Sequence, residues 1–173
     1  MFPPLPSWDG LHPLVIHFPI ALLMVAPLFL LLGMVFRRGG RLLPLCALML
    51  MFLGTVASYV AVETGEAARD LLVRTPEITA AIESHEELAD LTRSLFTVLT
   101  VILAALVLVP VFLGREREKL PHLAMHAIFL LIYAGGLLVL LNAAAAGGRI
   151  VHELGAHAGS GPASSERIRT PGP

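Results

Sequence analysis

Leu11-His12-Pro13-Leu14-Val15-Ile16-His17-Phe18-Pro19-Ile20-Ala21-Leu22-Leu23 opens an apolar run that reaches Phe36 without a formally charged residue. A run of that length spans a bilayer as a helix. Its beginning nevertheless carries two histidines and two prolines. Imidazoles and helix breakers are costly against lipid, so where they persist they face protein, water or a bound group. This stretch therefore decides the fold class and supplies the first candidate site.

The rest of the chain agrees. It has 173 residues, 56% of them hydrophobic and 14% charged, with a mean hydropathy of +0.80. Soluble domains carry about 25% charged residues. A net charge of −1 leaves no basic face for nucleic acid. The single cysteine, Cys46, lies inside an apolar run. It forms no internal disulfide, and a cysteine-only metal site is excluded. Residues 1–10 contain no Lys or Arg, so the first run reads as a retained helix rather than a cleaved signal peptide.

Four apolar runs are long enough to span: 13–36, 42–62, 94–114 and 121–148. Arg37-Arg38-Gly39-Gly40-Arg41 and Arg115-Glu116-Arg117-Glu118-Lys119 form two short basic turns. Positive short loops stay on the cytoplasmic side. Both termini are then expected outside. The stretch Glu66–Arg93 falls outside as well, with seven acids against three arginines. Ser84-His85-Glu86-Glu87 has the form of a capping box, which predicts a helix from about His85 to Gly114. On that helix His85 shares a face with Leu88, Ala89, Thr92 and Phe96. The tail, 159–173, is rich in Gly, Ser and Pro and is expected to be disordered.

Given this topology, five of the seven histidines fall toward the outer end: His12, His17, His85, His152 and His157. At 1.5 Å of rise per residue, His17 lies about 28 Å above the inner end of its helix and His85 about 43 Å above. Three separate helices deliver imidazole to one leaflet. Read singly, each is an interfacial histidine whose polar edge meets water, and His12 is a residue leading into a helix with Pro13 at its first turn. Read together, they form a ligand set for haem or a metal, built from facing side chains as helix bundles build such sites. Pro19 frees the carbonyl of Val15 and marks special geometry beside His17. Either the helix kinks there, or its regular part starts only at Pro19. His122 and His126 lie at the inner surface, where interfacial histidines are the better reading.

Gly135, Gly136, Gly147, Gly148 and Ala143–Ala146 thin the fourth helix, for close packing or for a flat cofactor. Tyr59 and Glu63 end the second helix at the outer level. Asn142 can hydrogen-bond across helices. No nucleophile–base pair, phosphate loop or HExxH motif is present, so the chain is not expected to be an enzyme on its own.

The opening motif resembles the start of the DUF2231 family of predicted bacterial membrane proteins. Thr64-Gly65-Glu66-Ala67, His85-Glu86-Glu87 and Gly147-Gly148-Arg149-Ile150-Val151 are similar to its pattern too, over roughly residues 11 to 157. In many members the late motif continues with an aromatic residue and then a histidine two positions later; here His152 and Leu154 stand there. The resemblance implies a four-helix domain in the bacterial inner membrane. Some members resemble partners or fusions of Rieske and cytochrome proteins, which implies electron transfer at the outer face through haem b.

The expectation is an all-α, four-helix transmembrane bundle over residues 1–158 with both termini outside. Its leading function is a haem- or metal-binding redox subunit, free or oligomeric in the bilayer. His17 and His85 are the first candidate ligands, with His12 and His152 next. The rival is a non-redox structural or accessory subunit of a larger membrane complex. A transporter would need a charge path near the midplane, which the sequence lacks.

Overall fold

The computed structural model describes residues 7–36, 42–113 and 119–156. The first basic turn, the second apart from Lys119, His157 and the tail lie outside the described residues, as does the side chain of His122. A 3-10 turn, Trp8–Leu11, leads into five α-helices. These are α1 (His12–Val15), α2 (His17–Val35), α3 (Leu42–Arg69), α4 (Pro76–Phe112) and α5 (Lys119–His152). No strand occurs among the described residues.

The helix limits follow from local chemistry. The N-terminal run is interrupted at Ile16, one turn before the position where Pro19 withholds its N–H, and restarts at His17. The third spanning helix does not begin near His85. Thr75 caps it: its hydroxyl accepts from the Ile78 N–H at 3.2 Å, and Pro76 fills the first helical position. Ser84 is therefore internal to α4, and its capping-box pattern caps nothing. Only the few residues between Arg69 and Pro76 connect the second and third spanning helices, because α3 also continues past the apolar run that ends at Val62. Beyond the end of α5 at His152, Gly155 turns the chain with a φ of 62°, which suits a residue without Cβ, and the Ala156 N–H closes on the Ile150 carbonyl at 3.1 Å.

Four of these helical segments are long and apolar enough to cross a membrane: His12–Val35, Leu42–Arg69, Pro76–Phe112 and Leu123–His152. Sequence neighbours pack side by side, and α2 closes against α5, giving a four-helix ring with α2 diagonal to α4. Leu23, Met51, Phe96, Leu103, Phe129 and Tyr133 fill the centre. Large apolar side chains also cover the outside, as at Phe52, Val101 and Leu131. Apolar residues around the whole circumference suit a helix whose outer face meets lipid. The described ends of the chain both lie at the end of the bundle that carries the α3–α4 connection.

Tyr133 shows how a proline inside a helix is tolerated. Pro27 has no N–H for the Leu23 carbonyl. The Tyr133 hydroxyl donates to that carbonyl instead, at 2.6 Å, from the neighbouring α5. Phe96 meets the Tyr133 ring edge to face, at 5.3 Å between centroids.

The bundle is two hairpins in one register. On α1–α2, His12, Pro19, Leu23, Ala26 and Leu30 correspond at constant spacing to His85, Thr92, Phe96, Leu99 and Leu103 on α4. Apart from the half-buried histidines, all are buried. On α3, Pro44, Ala47, Met51, Gly54 and Ser58 correspond in the same way to His126, Phe129, Tyr133, Gly136 and Leu140 on α5, again all buried.

Candidate functional site

Register matching puts His12 and His85 at equivalent places on diagonally opposed helices. The Nδ1 of His12 lies 2.9 Å from the Ala61 carbonyl of α3, and that of His85 lies 3.0 Å from the Ala143 carbonyl of α5. A carbonyl oxygen only accepts, so Nδ1 carries the proton in both rings. The neutral imidazole then keeps its lone pair on Nε2, for which the described residues provide no hydrogen-bond partner. Thr64 offers its Oγ1 to the His12 Nδ1 at 3.2 Å while donating back to the Val60 carbonyl.

Each ring also rests on a glycine one turn beyond its carbonyl. A Cβ at Gly65 would lie 2.9 Å from Cε1 of His12, and a Cβ at Gly147 would lie 2.9 Å from Cε1 of His85. The two seats therefore match in tautomer, in the bonded carbonyl and in the glycine beneath the ring.

Above the seats, Ile82, Ile150 and Ala156 are buried against Leu72, Ile78 and Ala81. This small apolar cluster roofs the α4–α5 side of the site. Beside it Arg69, one turn past Gly65, donates to Glu86 at 2.7 Å and so joins α3 to α4 next to His85. About three turns further down the α3–α4 seam, Tyr59 donates to Thr97 at 3.1 Å, since the Thr97 hydroxyl itself donates to the Arg93 carbonyl, and Arg93 lies 5.2 Å over the Tyr59 ring.

The remaining candidates fall elsewhere. His17 is exposed on α2, pointing away from the face that buries Pro19 and Leu23, and His152 is exposed at the end of α5. Of the four first- and second-rank candidates, the structure brings together His12 and His85. Glu63 is exposed. Asn142 turns back to the Leu138 carbonyl of its own helix at 2.7 Å, so it does not bridge helices. His126 is 2% exposed, a core position rather than an interfacial one. Gly136 packs on Leu99, Leu95 and Phe96, whereas Gly135 and Gly148 face open space. Gly65 and the carbonyls of Ala61 and Ala143 were not candidates from sequence. The shared register of the hairpins is the signal that points to them.

A bundle of two register-matched hairpins with an imidazole pair at one end is the class that fold and site define. The family described as "Predicted membrane protein (DUF2231)" matches residues 9–160, and the chain belongs to that family. No curated protein and no solved structure matches it.

Proposed function

We propose that this protein is a haem b-binding redox subunit of the membrane, in which the imidazoles of His12 and His85 would hold the haem iron. The observation that carries this reading is the matched pair of seats. Each fixes Nδ1 on a carbonyl and leaves Nε2 as the ligating atom, the arrangement by which a second-shell acceptor orients a ligating histidine. The donor set favours haem over a bare ion. Catalytic and structural zinc sites take three or four protein ligands, and no group of three His, Cys, Asp or Glu comes together among the described residues. A haem iron brings four nitrogens of its own and asks the protein for two.

When bound, haem supplies one-electron chemistry. The protein's part is to hold the ligands. The Nδ1–H bonds to Ala61 and Ala143 raise imidazole basicity, and the apolar roof limits water above the site. On the positive-inside reading the site faces the outer side of a bacterial inner membrane, where a Rieske or cytochrome-type protein is the partner class implied.

The protein expressed with ample haem should show a sharp reduced α band and a Soret band, both lost in His12→Ala and in His85→Ala. Folded protein without a Soret band removes the haem reading. If elemental analysis then finds no metal, the accessory-subunit reading replaces it, with the two histidines serving as hydrogen-bonded clasps between helices. Orientation is tested separately in a Cys46→Ser background. A cysteine at Gly40 should resist an impermeant thiol reagent in intact cells, and one in Thr75–Ala80 should react; the opposite pattern reverses the orientation.

A further inference from the structure

We propose that Gly65 and Gly147 are ligand-positioning residues, which fix the orientation and tautomer of His12 and His85 and so present Nε2 to the ligand. The axial-ligand part of this inference rests on the haem reading above.

The argument starts from what a single methyl would meet. At Gly65 a Cβ would lie 2.9 Å from Cε1, 3.2 Å from Nδ1 and 3.5 Å from Nε2 of His12. At Gly147 the corresponding distances to His85 are 2.9, 3.4 and 3.4 Å. In each case the contact runs along the whole nitrogen-bearing edge of the ring. A flexible side chain relieves such a contact by swinging away. These rings are tethered, because Nδ1 is bound to a carbonyl of the same helix one turn earlier. To make room, the ring must either give up that bond or rotate about it. Losing the bond releases the tautomer, and rotating redirects Nε2. Both consequences fall on the ligating atom.

The molecule contains its own controls. Gly148 and Gly135 lie on the same helix as Gly147, and a Cβ at either meets nothing within 4 Å. Gly136 is a packing glycine, whose Cβ would meet Leu99 at 3.3 Å and no imidazole. A glycine that serves helix packing alone changes stability when replaced by alanine, and alanine also raises helix propensity. Neither effect touches the tautomer of a histidine or the coordination of a metal. Seat, packing and open glycines thus separate by readout.

The experiment compares Gly65→Ala, Gly147→Ala, Gly136→Ala and Gly148→Ala in the full chain. In the haem-free protein carrying 15N-histidine, the wild type, Gly136→Ala and Gly148→Ala should show His12 and His85 as single Nδ1–H tautomers. Gly65→Ala should give a mixture at His12 only, and Gly147→Ala at His85 only. In haem-loaded protein each seat variant should convert about half or more of the low-spin ferric haem to high-spin and allow carbon monoxide to bind the ferrous form, because one axial bond is weakened. Free imidazole should restore the low-spin bands.

Wild-type protein that takes up no haem removes the haem reading, while the tautomer measurement still decides on the seats. Seat variants with wild-type tautomers and wild-type spectra overturn the inference. If Gly147→Ala does not accumulate, His85→Ala/Gly147→Ala should, since the ring that the methyl meets is gone. Failure of that double variant, while His85→Ala alone accumulates, would show a packing role and overturn the inference as well.

Discussion

The two hairpins share a register but not a composition. Among corresponding positions, His12 and His85, Leu30 and Leu103, Gly54 and Gly136, Ala61 and Ala143, and Gly65 and Gly147 are identical. The buried centre differs: Ala26 stands against Leu99, Ala47 against Phe129, Met51 against Tyr133 and Pro44 against His126. The first hairpin is small-sided where the second is large-sided. A packed centre constrains the summed volume of facing side chains rather than each one separately. A seat for an imidazole leaves no such freedom, because the methyl of any residue but glycine falls on the ring. The matched histidines, alanine carbonyls and seat glycines belong to the two imidazole seats, whereas the matched Leu30/Leu103 and Gly54/Gly136 are packing positions.

The seams between the hairpins differ too. Across α3 and α4 run the Arg69–Glu86 ion pair, the Tyr59–Thr97 bond and a 2.9 Å hydrogen bond between Thr55 and Thr100. Across α2 and α5 runs the Tyr133–Leu23 bond.

The largest expected effect tests the equivalence of the seats. His12→Ala and His85→Ala should each lower haem occupancy at least about tenfold, since a bis-imidazole site fails when either ligand is lost. His17→Ala and His152→Ala should keep the wild-type Soret absorbance per protein. A large loss in only one of the two seat variants would break the comparison. Next come the paired packing glycines. Gly54→Leu and Gly136→Leu should each lower stability in detergent by about 1–3 kcal/mol through overpacking, with Gly135→Leu near wild type. An unaltered unfolding midpoint in Gly136→Leu contradicts the burial of that face. A smaller change, about 1 kcal/mol, is expected for Tyr133→Phe, which leaves the Leu23 carbonyl without its donor. Thermal unfolding of this variant beside Thr55→Val ranks the two seams. The smallest effect is reserved for Arg69→Met. A half-exposed ion pair contributes no more than about 1 kcal/mol, and added salt should shrink the difference.

Much of this fold was legible from hydropathy alone, because a spanning helix needs a long uncharged run and four such runs are present. The start of α4 was not. Ser84-His85-Glu86-Glu87 satisfies the pattern of a cap, but so does the segment beginning at Thr75, and Pro76 gives the earlier start a preorganised first turn. Helical rise placed the outer histidines near one level and left a gap of about 15 Å between His17 and His85. His12 has no such gap, since it stands as far before Leu23 as His85 stands before Phe96. Exposure of His17 depends on which way α2 rotates after its break at Ile16, and the sequence around that break does not set the rotation. The hairpin repeat stayed hidden because most of its paired positions carry different residues, so self-similarity is visible in burial before it is visible in letters.

The duplicated register has a consequence for ancestry and for engineering. A single two-helix chain paired with a second copy of itself about a two-fold axis would already own both seats. Such a dimer must treat both of its seams alike. Joining the copies through the short α3–α4 connection lifts that obligation, and one seam can then take the Arg69–Glu86 latch while the other answers a lone proline with a tyrosine. The same logic predicts a tolerated rearrangement. Since both described ends lie on the side of that connection, a chain opened between Arg69 and Pro76 and closed by a linker across its present ends should rebuild the same bundle with its halves in the opposite order.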